Sequence, residues 1–280
     1  GWTTYPRRRS FWSAPPERFR QFPARFIVSF FNNHGLLTVR DHPQWKTVQG
    51  GAVRYVAALT RPFADRIRLN CPVVSVRRAP DRVTVTWKAG GSEDFDAVVL
   101  AAHADQTLAM LADASDAERD ILGAFPYQRN ETVLHADPAL LPRCRRAWAS
   151  WNYCIPRAED RPVVLTYNLN RLQGHVSPDP ICVTLNATHA IDERKILQRI
   201  EYHHPVYSRE ALAAQKRFHE INGRNRTYFC GAYWGHGFHE DGVNSALAVG
   251  QSFGKRWESC IAACTKGTSS TGGCAPWNPR

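Results

Sequence analysis

The segment from Tyr228 to Ala246 comes nearest to a ligand-binding motif in this chain. It predicts a buried strand that ends at Gly231, a glycine-rich loop over 235–242 and a helix over 243–253. Glycines let a backbone approach a flat or charged ligand closely, and the first turn of a helix offers unpaired N–H groups. The pattern suits a pyrophosphate or the electron-rich edge of a flat ring. It suits equally a strand, loop and helix that merely pack tightly.

The histidines of this region raise the question of a metal site. His236 and His239 are three residues apart, and His203 and His204 precede them in what resembles a helix end. No acidic residue stands at a metal-ligand spacing from them, so we expect ordinary loop histidines and no metal. Neither a Gly-x-Ser-x-Gly elbow nor a Walker phosphate loop occurs in the sequence.

Composition and charge narrow the class of protein. The chain has 280 residues, of which 43% are hydrophobic, and its net charge is 36 − 25 = +11. Arginines cluster at 7–9 and 143–146, yet no zinc-finger spacing or RNA-binding signature accompanies them, so we expect no nucleic acid partner. An Arg-rich solvated surface explains the charge better than a dedicated partner does. No apolar run approaches the length of about 18 residues that a spanning helix needs.

The eight cysteines form no disulfide or zinc framework. No two of them have the C-x-x-C spacing, so they are predicted to be small buried hydrophobes in a reducing, cytoplasmic compartment. They stand at Cys71, Cys144, Cys154, Cys182, Cys230, Cys260, Cys264 and Cys274.

Hydrophobic periodicity predicts the elements around the motif. Phenylalanines at three- and four-residue steps predict a helix over 22–31 that stops at Gly35, and Gly50 and Gly51 precede a second helix over 52–59. A nearly continuous apolar run over 95–102 is typical of a strand that is covered on both faces in a parallel sheet. The other predicted strands lie at 67–69, 72–76, 82–87, 132–135, 148–152, 163–169 and 182–186, and the other predicted helices at 108–122, 192–200 and 209–221.

The chain resembles the flavin-dependent amine-oxidase superfamily, and within it the bacterial proteins described as predicted NAD/FAD-binding proteins. The resemblance runs from about Phe11 to Phe253. The segments that carry it lie at 30–37, 49–51, 95–104, 147–153, 220–223 and 229–246. It implies an α/β fold with a Rossmann-like FAD-binding domain and an α+β substrate domain built on a mixed sheet.

The resemblance also implies a division of the chain and a cofactor, FAD. Residues 1–45 would be substrate-domain helices, 46–110 a part of the FAD domain with a β-meander, 111–222 the substrate domain and 223–258 the C-terminal FAD-binding strand, loop and helix. Residues 259–280 are expected to be a disordered tail.

The cofactor-binding residues follow from the same resemblance. Val73 matches the position whose backbone meets the adenine, and Gly231 and Ala232 match the strand end beside the ribityl-pyrophosphate arm. The helix start that faces the pyrimidine edge of the flavin would be formed by Asp241, Gly242 and Val243. The double glycine Gly50-Gly51 belongs to the expected cofactor site as well.

Two departures from the family pattern shape the functional prediction. The sequence has no G-x-G-x-x-G turn to hold the ADP pyrophosphate and begins without a methionine, so we expect a fragment of a longer protein with an incomplete dinucleotide site. The stretch over 129–135, comparable to the strand that carries a catalytic lysine in many amine oxidases, has no lysine.

These departures favour a desaturase-like or dehydrogenase-like reaction. We expect hydride transfer from a small hydrophobic, lipid-like substrate to flavin N5. The aromatic segment 19–37 suggests such a substrate, although core packing explains it as well, and the basic surface suggests a peripheral contact with anionic membrane. The alternative is a non-catalytic basic α/β module that binds a partner or an anionic surface. The catalytic residues and the oligomeric state are left open.

Overall fold

A computed structural model describes residues 22–38, 46–154 and 164–255 of the chain. Several predictions lie outside these ranges. They concern Phe19, the arginines at 7–9, the last three cysteines and the tail over 259–280.

The described residues form eight α-helices and ten strands, in runs of helices and runs of strands along the chain. The α-helices are α1 (Ala24–Asn33), α2 (Val53–Thr60), α3 (Ala104–Met110), α4 (Asp116–Gly123), α5 (Leu169–Gln173), α6 (Arg209–Gln215), α7 (Phe218–Ile221) and α8 (His239–Ser252). The strands are β1 (Val73–Arg78), β2 (Val83–Trp87), β3 (Gly91–Phe95), β4 (Val98–Leu100), β5 (Tyr127–His135), β6 (Trp151–Cys154), β7 (Val164–Asn168), β8 (Cys182–Leu185), β9 (Ile196–Pro205) and β10 (Thr227–Phe229).

Helix α1 forms where the phenylalanine spacing predicts it. It buries Phe26, Phe30 and Phe31 against Tyr207, and the ring of Phe26 stacks on that tyrosine at 4.6 Å between centroids. The helix gives way to a turn in which Gly35 takes the left-handed conformation, with a φ of 62°. Core packing therefore accounts for the buried phenylalanines of this helix, and the link of this segment to a lipid-like substrate stays a prediction.

The apolar run over 95–102 is not one strand, because the chain changes sheets within it. Phe95 ends β3 and pairs with Val83 in the antiparallel meander β1-β2-β3, whereas β4 begins at Val98 and pairs with β10. The β4–β10 pair is parallel, as the apolar run predicts. Arg226 fixes the crossing point, since its guanidinium donates to the carbonyl oxygens of Pro80 and Asp96.

The substrate-domain sheet corrects two predictions. Its order is β6-β7-β8-β5-β9 and every neighbouring pair is antiparallel, so this sheet is not mixed. The helix predicted over 192–200 is wrong, because Ile196–Pro205 is strand β9 and pairs along the whole of β5. His203 and His204 consequently lie in a strand and not at a helix end. Pairing with β5 outweighs the local helical preference of the charged residues at 192–195.

Three smaller predictions also differ from the structure. Residues 67–69 form no strand, and each of the helices predicted over 108–122 and 209–221 is split in two. The first split lies at Leu111, which leaves the helix to make an isolated parallel bridge with Val76 of β1.

One buried cluster packs the parallel strands β4 and β10 against strand β1 and helices α4 and α6. Val76, Leu100, Ile121, Ala211 and Phe229 all belong to it. The predicted fold class, an α/β FAD-domain portion with an α+β second unit, is confirmed, and the domain boundaries stay a prediction. Among the described residues no helix has the length and apolar character to cross a membrane.

Candidate functional site

The predicted strand, loop and helix lie at the carboxyl end of the parallel pair. Strand β10 ends at Phe229, and the N–H of Cys230 still donates to the carbonyl of Leu100 in β4 at 3.0 Å. A turn of 3-10 helix over Ala232–Trp234 follows, and α8 begins at His239. Ligands of α/β proteins bind at this edge of a parallel sheet.

Helix α8 begins four residues before the predicted start at residue 243. The reason is a capping contact, because the carboxylate of Asp241 accepts a hydrogen bond from the N–H of Phe238 at 3.0 Å. An acidic side chain at this third helical position closes the first turn. Asp241, Gly242 and Val243 consequently lie within the beginning of α8 and do not form its first residues.

Ser245 joins the strand end to the helix start. Its hydroxyl accepts a hydrogen bond from the N–H of Gly231 at 2.9 Å and donates one to the carbonyl of Gly242 at 2.8 Å. The structure therefore brings together Gly231, Ala232, Asp241, Gly242 and Val243. We call Gly231, Ala232 and residues 239–243 the cradle.

The cradle leaves donors and space for a ligand. In the part of the chain that the structure describes, the backbone N–H groups of His239, Glu240 and Asp241 have no acceptor. A Cβ added to Gly242 would meet nothing within 4 Å, so the helix surface is open there. Unpaired N–H groups at the start of a fourteen-residue helix attract an anion or an electron-rich edge.

Asp241 places a carboxylate beside these donors. Burial alone would raise its pKa, but the nearby His236 and the hydrogen bond from the backbone N–H of Phe238 outweigh burial and hold the pKa below its usual range. The nearest atoms of the His236 ring and this carboxylate are 3.9 Å apart. Asp241 is thus ionised at neutral pH, and its charge is already engaged by the protein.

A cavity of about 250 Å³ lies beside the cradle, between α8 and the segment of α6 and α7. Phe218 and Trp234 form an aromatic corner of it, with ring planes at 77° and centroids 4.9 Å apart. Asp241 and Ser245 line the same cavity. Mainly apolar walls with a few convergent polar groups are typical of small-molecule sites.

The remaining predicted cofactor residues lie elsewhere. Gly50 and Gly51 both have left-handed φ values and directly precede α2, a helix with no buried residue. Val73 begins β1, where it is half-buried and pairs with Trp87 across a bulge. No hydrogen bond within the described ranges connects these three residues to the cradle.

Sequence reasoning missed a polar cluster that follows β4. His103 stacks on Tyr127, and the hydroxyl of Tyr127 accepts from the N–H of Ala104 at the start of α3. Three residues further along β5, Asn130 contacts Nδ1 of His204 in the neighbouring strand β9 at 2.8 Å. Burial lowers the pKa of both histidines, so each is neutral at pH 7. The alternation of Gln128, Asn130 and Thr132 in β5 was the available signal, since it places polar residues on one face.

No group of three or more potential metal ligands occurs among the described residues. His236 stacks against Phe26 with 4.7 Å between the ring centroids, so it is part of the aromatic cluster around α1. His239 is exposed at the start of α8.

Comparison with known proteins gives this geometry a family context. The family model of the flavin containing amine oxidoreductases matches residues 11–121, which is less than half of the chain. The resemblance to flavin-dependent amine oxidases is confirmed. The family implies FAD as the cofactor, as predicted. No curated protein is similar enough to count as a match.

Solved structures of the same fold extend the likeness over most of the chain. A CLA-producing fatty acid isomerase from P. acnes is 16% identical, with a TM-score of 0.62 over 88% of this chain and 63% of its own. Cyclohexylamine oxidase from Brevibacterium oxydans IH-35A is 12% identical, with a TM-score of 0.53 over 85% of this chain and 61% of its own. The chain therefore spans less than two thirds of either protein's length.

The cradle fits the cofactor that the family implies. Its donors suit the electron-rich edge of a flavin ring, and the open surface at Gly242 leaves room for a flat group. Asp241 does not oppose this, because its carboxylate already accepts from Phe238. The residues that would hold FAD are thus Gly231, Ala232 and the first residues of α8.

Proposed function

We propose that this protein is an FAD-dependent oxidoreductase that takes hydride from a C–H bond of a hydrophobic, lipid-like substrate. The observation that carries the proposal is the cradle, in which Ser245 joins a parallel strand end to a helix start. Three N–H groups there have no acceptor among the described residues. When bound, FAD would supply the hydride acceptor, and the protein would orient the substrate and adjust the ring's electronics.

The protein's own residues would act mainly by electrostatics. The free N–H groups at the start of α8 stabilise negative charge on a bound ring edge, because they carry the positive end of the helix dipole. His103, which follows the end of β4, and His204, in β9, are neutral and therefore add no charge. Such a site favours a substrate that brings no charge to the reacting carbon.

The reaction class rests on strand β5. This strand contains no lysine on either face. Its buried residues are Asn130 and Thr132 on one face and Val133 and His135 on the other. Without a lysine to localise positive charge beside the flavin, reaction with oxygen would be slow. We therefore propose a desaturase-like or dehydrogenase-like reaction that uses another electron acceptor. The relatives favour neither class, because one is described as a fatty acid isomerase and the other as an amine oxidase.

The test is reduction of the flavin-loaded protein, at its natural length, in a stopped-flow instrument. Unsaturated fatty acyl lipids should bleach the flavin absorbance, while benzylamine and aliphatic amines should not, and reoxidation by oxygen should be slow. Fast reduction by an amine followed by rapid reoxidation would contradict the proposal. A wild-type protein that never retains FAD would contradict the cofactor assignment itself.

A pair of variants locates the flavin within this test. Gly242→Asp adds a carboxylate at the open surface of the cradle and should lower flavin content strongly. Ala246→Asp is the matched control, because it adds the same charge to an exposed position one turn further along α8. Equal flavin content in the two variants would remove Gly242 from the site.

We propose further that the 280-residue chain alone binds FAD poorly and is inactive, since it has no glycine-rich turn for the pyrophosphate. Gel filtration of this chain after incubation with FAD provides the check. Retention of one flavin per chain would contradict the proposal.

The alternative function is a non-catalytic module that binds a partner or an anionic surface, and one observation favours it. Helix α2 and the 3-10 turn after it expose apolar side chains next to arginines, with Val53 68% and Leu59 66% exposed. Arg54 and Arg61 lie in the same segment, as a peripheral contact with anionic membrane requires. Sedimentation with phosphatidylserine vesicles, but not with phosphatidylcholine vesicles, would support this contact. A Leu59→Glu variant that sediments as well as wild type would exclude this segment.

A further inference from the structure

We propose that Ser245 is a positioning residue that holds the two halves of the cradle in register, a role that rests on the function proposed above. The side chain lies in α8 and is buried, and its hydroxyl reaches across to the end of β10. Its hydroxyl bonds to backbone groups of Gly231 and Gly242, so it would act on a bound cofactor through these two residues.

The two hydrogen bonds of Ser245 use the donor of its hydroxyl and one of its two acceptor sites. The oxygen accepts from Gly231 and the hydrogen goes to the carbonyl of Gly242, three residues back in the helix. A serine that bonds to the preceding turn slightly disfavours a helix, so the position is not explained by helix formation alone. What the side chain adds is the connection between two segments that are 14 residues apart.

The connection decides where the donors of the cradle point. Without the hydroxyl, the N–H of Gly231 would lose its only partner in the described structure, and the strand end could move relative to α8. Gly231 and Ala232 lie on one side of this bond and the free N–H groups of residues 239–241 on the other. A ligand that contacts both sides therefore needs the bond in order to meet them at a fixed spacing.

Alanine is the informative substitution, because it removes the hydroxyl and is a better helix former than serine. Helix propensity alone would make Ser245→Ala neutral or stabilising. We expect instead that, in the protein at its natural length, the dissociation constant for FAD rises about tenfold, equivalent to about 1.4 kcal/mol. We also expect the visible absorbance of bound flavin to shift, because the ring edge loses its fixed donors.

Two variants control this experiment. Ser252→Ala makes the same change in the same helix at an exposed residue, and it should leave flavin affinity and spectrum unchanged. Ser245→Thr retains the hydroxyl and should restore most of the affinity. Failure of Thr to improve on Ala would indicate that packing, and not the hydrogen bonds, matters at this position.

Amide hydrogen exchange tests the inference without flavin. In Ser245→Ala the amide of Gly231 should exchange at least about tenfold faster, as expected when one protecting bond of about 1.4 kcal/mol is lost. The neighbouring amide of Cys230 bonds to Leu100 and should be unchanged. Unchanged exchange at Gly231 would overturn the role of Ser245 while leaving the proposed function intact. If Gly231 exchanges faster in Ser245→Ala but the wild-type protein at its natural length binds no FAD, the proposed function alone is overturned.

Discussion

Arg78 and Glu118 form a buried ion pair whose removal should destabilise the whole fold. Their side chains are only 3% and 1% exposed, and the nearest atoms lie 2.8 Å apart in a two-pronged contact. Arg78 also binds Asp113, and Glu118 accepts from the N–H of Ser115 at the start of α4. The pair thereby connects the end of β1 to the first turn of α4.

The magnitude follows from what is left behind. Arg78→Met leaves the carboxylate of Glu118 buried without its counter-charge, which typically costs about 3–5 kcal/mol of unfolding free energy. Adding Glu118→Leu removes that lone charge, so the double variant should be more stable than Arg78→Met alone. Arg82→Met is the control, because the ion pairs of Arg82 are exposed and each contributes at most about 1 kcal/mol to the unfolding free energy.

Urea unfolding followed by tryptophan fluorescence at pH 7 measures these differences. The pH dependence supplies a second test. Burial would raise the pKa of Glu118, but hydrogen bonds from Arg78 and Ser115 outweigh it, and the pKa lies below its ordinary value of 4.5. The stabilisation is therefore complete above pH 4.5 and is lost as the pH falls through the lower folded value. The reasoning is refuted if Arg78→Met costs no more than Arg82→Met.

Three further outcomes are expected from single residues. Tyr207→Phe should leave the unfolding free energy unchanged or raise it by about 1 kcal/mol, because the buried hydroxyl has no hydrogen-bond partner among the described residues. A large fall in the melting temperature of this variant would contradict the prediction. Gly237→Ala should lower the unfolding free energy by about 1–3 kcal/mol, since φ is +92° and the added Cβ would lie 2.6 Å from the Tyr207 hydroxyl. A melting temperature equal to that of wild type would contradict this expectation. Cys144 is exposed, so the prediction that the cysteines are buried is wrong for this residue, whereas Cys182 is buried. Iodoacetamide should therefore label Cys144 of the native protein but not Cys182, because burial raises the pKa of the Cys182 thiol to about 11. Peptide mass spectrometry after a short pulse distinguishes the two.

The parts of the fold that depend on local pattern could be predicted from the sequence. The phenylalanine spacing of α1 specifies one face, and the structure buries that face. The period-two run of β2 predicts a half-buried strand, and the structure buries Val83 and leaves the rest of the strand half-buried. The apolar run around Val98 indicated a parallel pairing and β10 provides it, although the sequence could not show that Phe95 belongs to another sheet.

The error at β9 has a physical reason that the local sequence does not contain. Residues 192–195 are charged and polar and suit the first turn of a helix, so the helical prediction extended into the strand. Strand β9 forms because its backbone pairs with all nine residues of β5. Pairing between segments so far apart in sequence cannot be predicted from a local sequence pattern.

The site was predictable as a region but not as an arrangement. Gly231 and Gly242 could be singled out because glycine spacing and family resemblance both point to them. Ser245 could not, since its importance lies in a contact with Gly231 that exists only once the chain is folded. His103 and Asn130 were missed for the same reason, because each gains its role from a partner on another element.

The acidic start of α8 is the feature that most needs an explanation if the cradle holds an electron-rich ring. Glu240 is exposed, so solvent screens its charge, whereas Asp241 is partly buried and cannot be screened in that way. The carboxylate of Asp241 accepts from Phe238 and has His236 close by, and these contacts use its charge to close the first turn of the helix. The same closure keeps the backbone of residues 239–241 helical, with their N–H groups free at the start of the helix. Asp241 therefore organises the donors that would meet the ring, and removing it would disorder the cradle rather than relieve a repulsion.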